Sequence, residues 1–133
     1  MIGLVVATHG NLGEELRNAA QMIIGPVRNA RSVSVTQDKS MEDIRGAIAS
    51  SVNDVGGDGH GVIVITDMFG GTPANVSMTF LETESIEVLT GVNLPMLLKF
   101  FNSQENLGLD ELAGILKSYG QQSIVVASEY LKQ

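Results

Sequence analysis

The sequence has no cysteine. That absence excludes disulfides, a thiolate nucleophile and cysteine-based zinc sites together. Basic charge is scarce as well: 8 Lys and Arg stand against 15 Asp and Glu, for a net charge of -7. Arg17, Arg28, Arg31, Arg45, Lys39, Lys99, Lys117 and Lys132 are scattered singly along the chain. A nucleic-acid partner needs clustered cations to displace counterions, so none is expected. The acidic surface serves solubility or favours a basic protein partner. No apolar run approaches the ~18 residues that cross a membrane, so direct membrane insertion is not expected. The opening "MIGLVV" has no basic stretch ahead of its apolar part, which argues against a secretory leader and for a cytoplasmic protein. A P-loop pattern is missing, and "GNLG" is too short to be a dinucleotide fingerprint. Repeats, low-complexity segments and linkers are missing too.

What remains is 133 residues, 44% of them hydrophobic. This length and composition fit one globular domain over residues 1–133, long enough to bury a core of its own. Short apolar runs alternate with longer amphipathic segments, the pattern of a mostly parallel sheet covered by helices. The first strand reads Ile2 to Thr8 and the third Val62 to Thr66. Both are almost continuously apolar, as strands covered on both faces should be. The second, Arg31 to Val35, and the fourth, Ser85 to Leu89, alternate polar and apolar residues and belong nearer the edges. A fifth run, "SIVVA" at Ser123 to Ala127, is a further candidate strand.

Helix signals fill the gaps. Leu12, Leu16, Ala19, Ala20 and Ile23 share one helical face, which Gly25-Pro26 terminates. Met41, Ile44, Ile48, Val52 and Val55 form a second stripe, opened by Ser40 with Asp43 as a capping pair. A third helix should open at "TPAN", with Thr72 as cap and Pro73 at the first helical position. A fourth begins near Pro95 and a fifth runs from Leu109 to Ser118. With the continuous strands central, the expected sheet order is 2-1-3-4, with helices on both faces. Strands 1 and 3 then flank the point where the order reverses, and open α/β sheets bind ligands in that crevice, at the carboxyl ends of the strands.

One of only two histidines lies there. His9 ends the first strand, and Asp67 ends the third. Neighbouring strands are ~4.8 Å apart, so the two side chains can meet. A carboxylate on one ring nitrogen fixes the tautomer and leaves the other nitrogen's lone pair free to attack. The reference imidazole pKa of ~6.5 leaves much of such a ring neutral near pH 7. After Asp67, "MFGGTPAN" sets two glycines before a helix start, where backbone N–H groups can approach an anion. Gly10 offers the same close approach on the first strand. Gly10, Gly70, Gly71 and Thr72 are the candidate phosphate-binding positions, and the set suits a histidine that carries a phosphoryl group. Beside them, Phe69 is a candidate for docking a partner protein, or simply packs. A strand-end histidine, or a Gly-Gly-Thr-Pro turn, often serves structure alone; their coincidence at one crevice argues for function. His60, among glycines at the other end of the sheet, reads as a solvated loop residue. The two histidines cannot share a metal, and no metal or cofactor is expected. Met22, Met68, Met78 and Met96 read as core fillers or surface residues.

Three blocks in order, "THG" at 8–10, "DMFGGTPAN" at 67–75 and "GVNLPML" at 91–97, resemble the mannose-type EIIA domain of the bacterial sugar phosphotransferase system. "AAQMIIG" at 19–25 agrees with it. The resemblance implies a phosphohistidine carrier, a phosphotransferase component. His9 would accept a phosphoryl group, on Nε2, from the phosphocarrier protein HPr and pass it to a IIB domain during sugar uptake. Asp67 would hold the other ring nitrogen. The resemblance also implies a homodimer in which an antiparallel strand, for which "SIVVA" is the natural candidate, is exchanged between subunits. Members are often fused to IIB; here IIB is expected on a separate chain, unless the phosphorylation state itself is a regulatory signal. Two other readings stay open. Histidine phosphatases and phosphoglycerate mutases also use a strand-1 histidine before glycine, but arginine precedes it where this chain has Thr8. A sensory binding module that never turns phosphate over is the second.

Overall fold

The computed structural model describes residues 1–82, 85–103 and 107–132. In chain order the elements are β1 (Gly3–His9), α1 (Leu12–Ile24), β2 (Ala30–Val35), α2 (Met41–Val55), β3 (Val62–Thr66), α3 (Thr72–Met78), β4 (Ile86–Thr90), α4 (Leu94–Asn102), α5 (Leu109–Gln122) and α6 (Ala127–Leu131). The four strands form one all-parallel sheet of order β2-β1-β3-β4. The patterning decides which strands are central. Every residue of β3 is buried, and so is all of β1 up to its last residue, whereas β2 alternates and β4 is only half-buried along its length.

Strand alternation divides the core into two layers. Leu4, Val6, Ile63 and Ile65 face Leu97 and Phe100 of α4 and Leu112 and Leu116 of α5, with Leu16 of α1 packed alongside. Val5, Ala7, Val33, Val35 and Val64 face Ile44 and Ile48 of α2 and Val76 of α3. The split follows from the strand order. A β1-to-β2 step and a β2-to-β3 step travel in opposite directions, so crossovers of one hand place α1 and α2 on opposite faces.

Local chemistry sets the helix ends. The Ser40 hydroxyl accepts the Asp43 backbone N–H at 3.0 Å and opens α2. Asn93 caps α4 in the same way, its side-chain oxygen accepting the Met96 N–H at 3.0 Å. Gly71 is the residue flanking α3, so Thr72 is the first helical residue and not the cap, and Pro73 lies one position further in. The fifth helix runs on to Gln122, past the expected end at Ser118. In the first helix, Leu12 and Ile23 of the expected apolar stripe are exposed. They sit at its two ends, beyond the stretch packed on the sheet; Leu16 and Ala20 make the contact.

The run at Ser123–Ala127 does not form a strand in the single chain. Ile124, Val125 and Val126 lie outside any regular element and are exposed, and Ala127 opens α6. α5 ends at Gln122 and leaves this segment on the surface, where it pairs with none of the four strands. Among the described residues no helix is long and apolar enough to cross a membrane.

Candidate functional site

The site is built at the carboxyl ends of β1 and β3. The register pairs Ala7 with Thr66, so the residues that follow on each strand emerge side by side over the same rim. His9 Nδ1 and Asp67 Oδ2 are 2.8 Å apart, and the same oxygen accepts the His9 backbone N–H at 3.1 Å. The second carboxylate oxygen accepts the Met68 N–H at 3.1 Å. Burial alone would push the Asp67 carboxyl up. The hydrogen bonds from the His9 ring and backbone, together with the charge of the ring, outweigh it and hold the carboxyl below its ordinary value. An ionised carboxylate carries no proton, so Nδ1 must be the donor. In the neutral ring the lone pair is then on Nε2, for which no described residue supplies a hydrogen-bond partner.

Burial is unequal across the pair. The Asp67 side chain is 13% exposed and the His9 side chain 52%. The acid is thus fixed in the wall while the imidazole stands open to an incoming group. Alternation sends the ring to the α2/α3 face of the sheet, where it lines a cavity of about 230 Å³ with Val35, Lys39, Met41 and Thr72. A larger groove of about 470 Å³ runs beside β4 and does not include His9; Phe69, Met78, Leu89 and Ile124 line it.

The loop from Asp67 to Thr72 wraps the ring. Gly70 has φ +89°, a left-handed backbone that favours glycine. Gly71 is there for space: a Cβ on it would lie 2.8 Å from His9 Cε1 and 3.5 Å from Nε2. Among the described residues nothing accepts the N–H groups of Gly70, Gly71 or Thr72. The sequence gives Gly10 the same close approach, from the end of the first strand. Its N–H continues the ladder to Val35 O at 2.9 Å, so it has no donor to offer. What it gives is room, since nothing lies within 4 Å of a Cβ placed there. Phe69 is 73% exposed and Met68 54%, both beside the ring-bearing rim. His60 lies away from the site; its ring meets the ammonium of Met1, which also pairs with Asp58.

Sequence reasoning missed Thr8. Its side chain is fully buried, and its hydroxyl accepts the Gly13 N–H at 2.8 Å. This ties the first turn of α1 to the end of β1 and fixes the backbone on which His9 stands. The signal was a hydroxyl in the middle of an apolar strand end, five residues before a glycine that lets the helix approach the strand.

This is an open α/β protein, wound on both faces, with an acid-held imidazole at its switch point. Comparison with known proteins narrows the class. A family model described as EIIA-man, the PTS system fructose IIA component, matches residues 3–116. The chain belongs to this family. It is 31% identical over 134 residues to a PTS system fructose-specific EIIA component of Bacillus subtilis (strain 168), covering 100% of this chain and 91% of that one. A solved EIIA component from Streptococcus agalactiae superposes with a TM-score of 0.87 at 28% identity, covering 97% of this chain and 99% of the other. A mannose/sorbose-specific IIA subunit from Enterococcus faecalis superposes with a TM-score of 0.83 at 30% identity, covering 94% and 93%.

Proposed function

We propose that this chain is a cytoplasmic phosphohistidine carrier. His9 takes a phosphoryl group from phosphorylated HPr and gives it to a IIB component in sugar uptake. The observation that carries the reading is the 2.8 Å contact between His9 Nδ1 and the largely covered Asp67 carboxylate, which leaves Nε2 as the exposed nucleophile. In the transfer, the N–P bond of the donor imidazole breaks as the bond from His9 Nε2 to phosphorus forms. The donor nitrogen keeps the electron pair. Positive charge appears on the His9 ring, whose Nδ1–H stays on Asp67, and the carboxylate stabilises it. The backbone N–H groups of Gly70, Gly71 and Thr72 receive the phosphoryl oxygens, while Gly10 keeps the approach clear. Phe69 provides an apolar contact for the arriving partner protein.

A phosphatase acting on small molecules must grip a free dianion, for which arginine forks are the usual device. Among the described residues no arginine lines the His9 cavity. The nearest helix does carry Arg45, but its guanidinium is held by the Thr79 hydroxyl and lies over the Phe80 ring, 4.6 Å from its centroid. Incubation with enzyme I, HPr and phosphoenolpyruvate tests the carrier reading. Acid-labile label at one phosphoryl per chain, mapped to His9, is the expected result; a chain that stays unlabelled overturns it.

Gly71→Ala should leave the fold intact and slow phosphoryl acceptance by about 100-fold, because a Cβ there pushes the ring off its acid, and small misplacements cost that much. Acceptance at the wild-type rate would show that the ring is not held by this contact. We also propose that the chain works as a homodimer. β4 is a half-buried sheet edge, and Ile124, Val125 and Val126 form an exposed β-branched run that suits pairing with such an edge in a second copy. Sedimentation equilibrium should return twice the mass of one chain, and a single-chain mass would rule the dimer out.

A further inference from the structure

We propose that Lys39 supplies the counter-charge for the phosphoryl group on His9, a role that rests on the carrier reading above. The transfer brings a dianion next to the Asp67 carboxylate, which the wall holds ionised. Like charges that close repel strongly unless a cation intervenes. Lys39 is the one cation among the described residues lining the cavity that His9 and Thr72 open into. Its sequence neighbours Asp38, Glu42 and Asp43 are acidic, and Arg45, the next cation along the chain, lines the adjoining pocket and not this one.

The backbone places the lysine for this role. The Lys39 N–H donates to Thr36 O at 3.3 Å, closing a turn directly ahead of α2. The Thr36 hydroxyl donates to the Asp38 carboxylate, which ties that acid to the turn. The ammonium itself rests on a single exposed acceptor, the Ser34 carbonyl, at 2.9 Å. Ser34 pairs in register with Thr8, and Val35 with His9. Because the Val35 carbonyl faces β1, where it accepts the Gly10 N–H, the Ser34 carbonyl faces the outer edge of β2. The ammonium is therefore parked one strand away from the imidazole. A lysine stem is flexible, and its head is a compact charge that binds phosphate as a point cation. When phosphate arrives, the lysine exchanges a neutral carbonyl for a dianion, a stronger charge-assisted partner. The parked position holds the cation close while leaving the cavity open for the donor to enter.

The test compares the wild-type protein with Lys39→Met and Lys39→Arg, each equilibrated with HPr and phosphorylated HPr. The readout is the equilibrium fraction phosphorylated on His9. Lys39→Met should lower the equilibrium constant for acceptance by about tenfold, the effect of one unit charge several ångströms from a dianion in a wet site. Lys39→Arg should restore most of the loss, and the gap should narrow at high salt. Should the methionine variant lose its circular dichroism spectrum, Lys39→Gln replaces it, with the same loss expected. Wild type labelled on His9 together with an unchanged constant in Lys39→Met overturns the proposal and leaves the carrier reading standing. A slower approach to the same equilibrium also overturns it, since that assigns Lys39 to docking. Wild type that takes no label on His9 removes both.

Discussion

Replacing His9 by alanine should abolish phosphoryl acceptance and move the melting temperature by no more than about 5 °C. The two halves of that expectation have separate origins. Acceptance needs a nucleophile, and among the described residues lining the cavity His9 is the only histidine; the second histidine is at the other end of the sheet. Stability changes little because the ring is half exposed and ends its strand, where it contributes one side-chain hydrogen bond. The Asp67 carboxylate keeps the backbone N–H of residue 9 and that of Met68 in the variant, so no buried charge is stranded. A loss of about 1 kcal/mol or less corresponds to a shift of a few degrees in a domain of this size. Stoichiometric labelling of His9→Ala would place the acceptor elsewhere. A variant that unfolds would show that the imidazole is part of the framework.

Asp67→Asn carries the second large effect. With its oxygen toward Met68 the amide still accepts the Met68 N–H, but it sets a donor where one carboxylate oxygen accepted both the His9 backbone N–H and the ring. On the ring side, an amide N–H facing Nδ1 favours the opposite tautomer, with the proton on Nε2 and the lone pair turned inward. The nucleophile is then blocked, and the positive charge of the phosphorylated ring loses its partner. The expected cost is roughly 100- to 10,000-fold in the rate of acceptance, the scale of an acid that orients a reacting histidine. Binding of HPr should be unchanged, because the carboxylate is buried behind the ring. Acceptance at the normal rate would remove Asp67 from the mechanism.

The same carboxylate makes a prediction about acid. Its value in the folded protein lies below the ordinary 3.8, so the unfolded chain takes up its proton first as pH falls. The stability it contributes is complete above 3.8 and disappears as pH drops through the lower folded value. Wild type should therefore exceed Asp67→Asn in stability at neutral pH, and the difference should shrink in acid below that point. A difference that grows in acid would reverse the sign of the linkage.

Much of this was legible before any coordinates, for physical reasons. "LVVA" and "VIVI" have no polar alternation, which only strands covered on both faces tolerate, so β1 and β3 had to be central and adjacent. That adjacency brought His9 to Asp67, a contact between residues 58 positions apart. Helix starts were legible wherever a side chain caps them, as at Ser40. They slipped by a residue at Thr72, where glycine flanks the helix and no side chain marks the boundary. "SIVVA" forms no strand within the single chain, because β-branched residues report a preference for extended structure and say nothing about which chain supplies the edge. Gly10 was legible as a place of close approach, but that its N–H is taken up in the β1–β2 ladder was not, since backbone hydrogen bonding cannot be read from composition. Thr8 escaped notice because its work is done through a helix turn that folds back on the strand. Lys39 escaped for a similar reason: it joins the site through a loop from a neighbouring strand, with no motif of its own.

The central claim is that Asp67 holds Nδ1 and leaves Nε2 to bond phosphorus. Nuclear magnetic resonance of the phosphorylated, ¹⁵N-labelled protein reads it directly, through the coupling between phosphorus and one ring nitrogen of His9. Coupling to Nε2, with Nδ1 still protonated, is the expected result. Coupling to Nδ1, or phosphorus bound to any residue other than His9, would contradict the account.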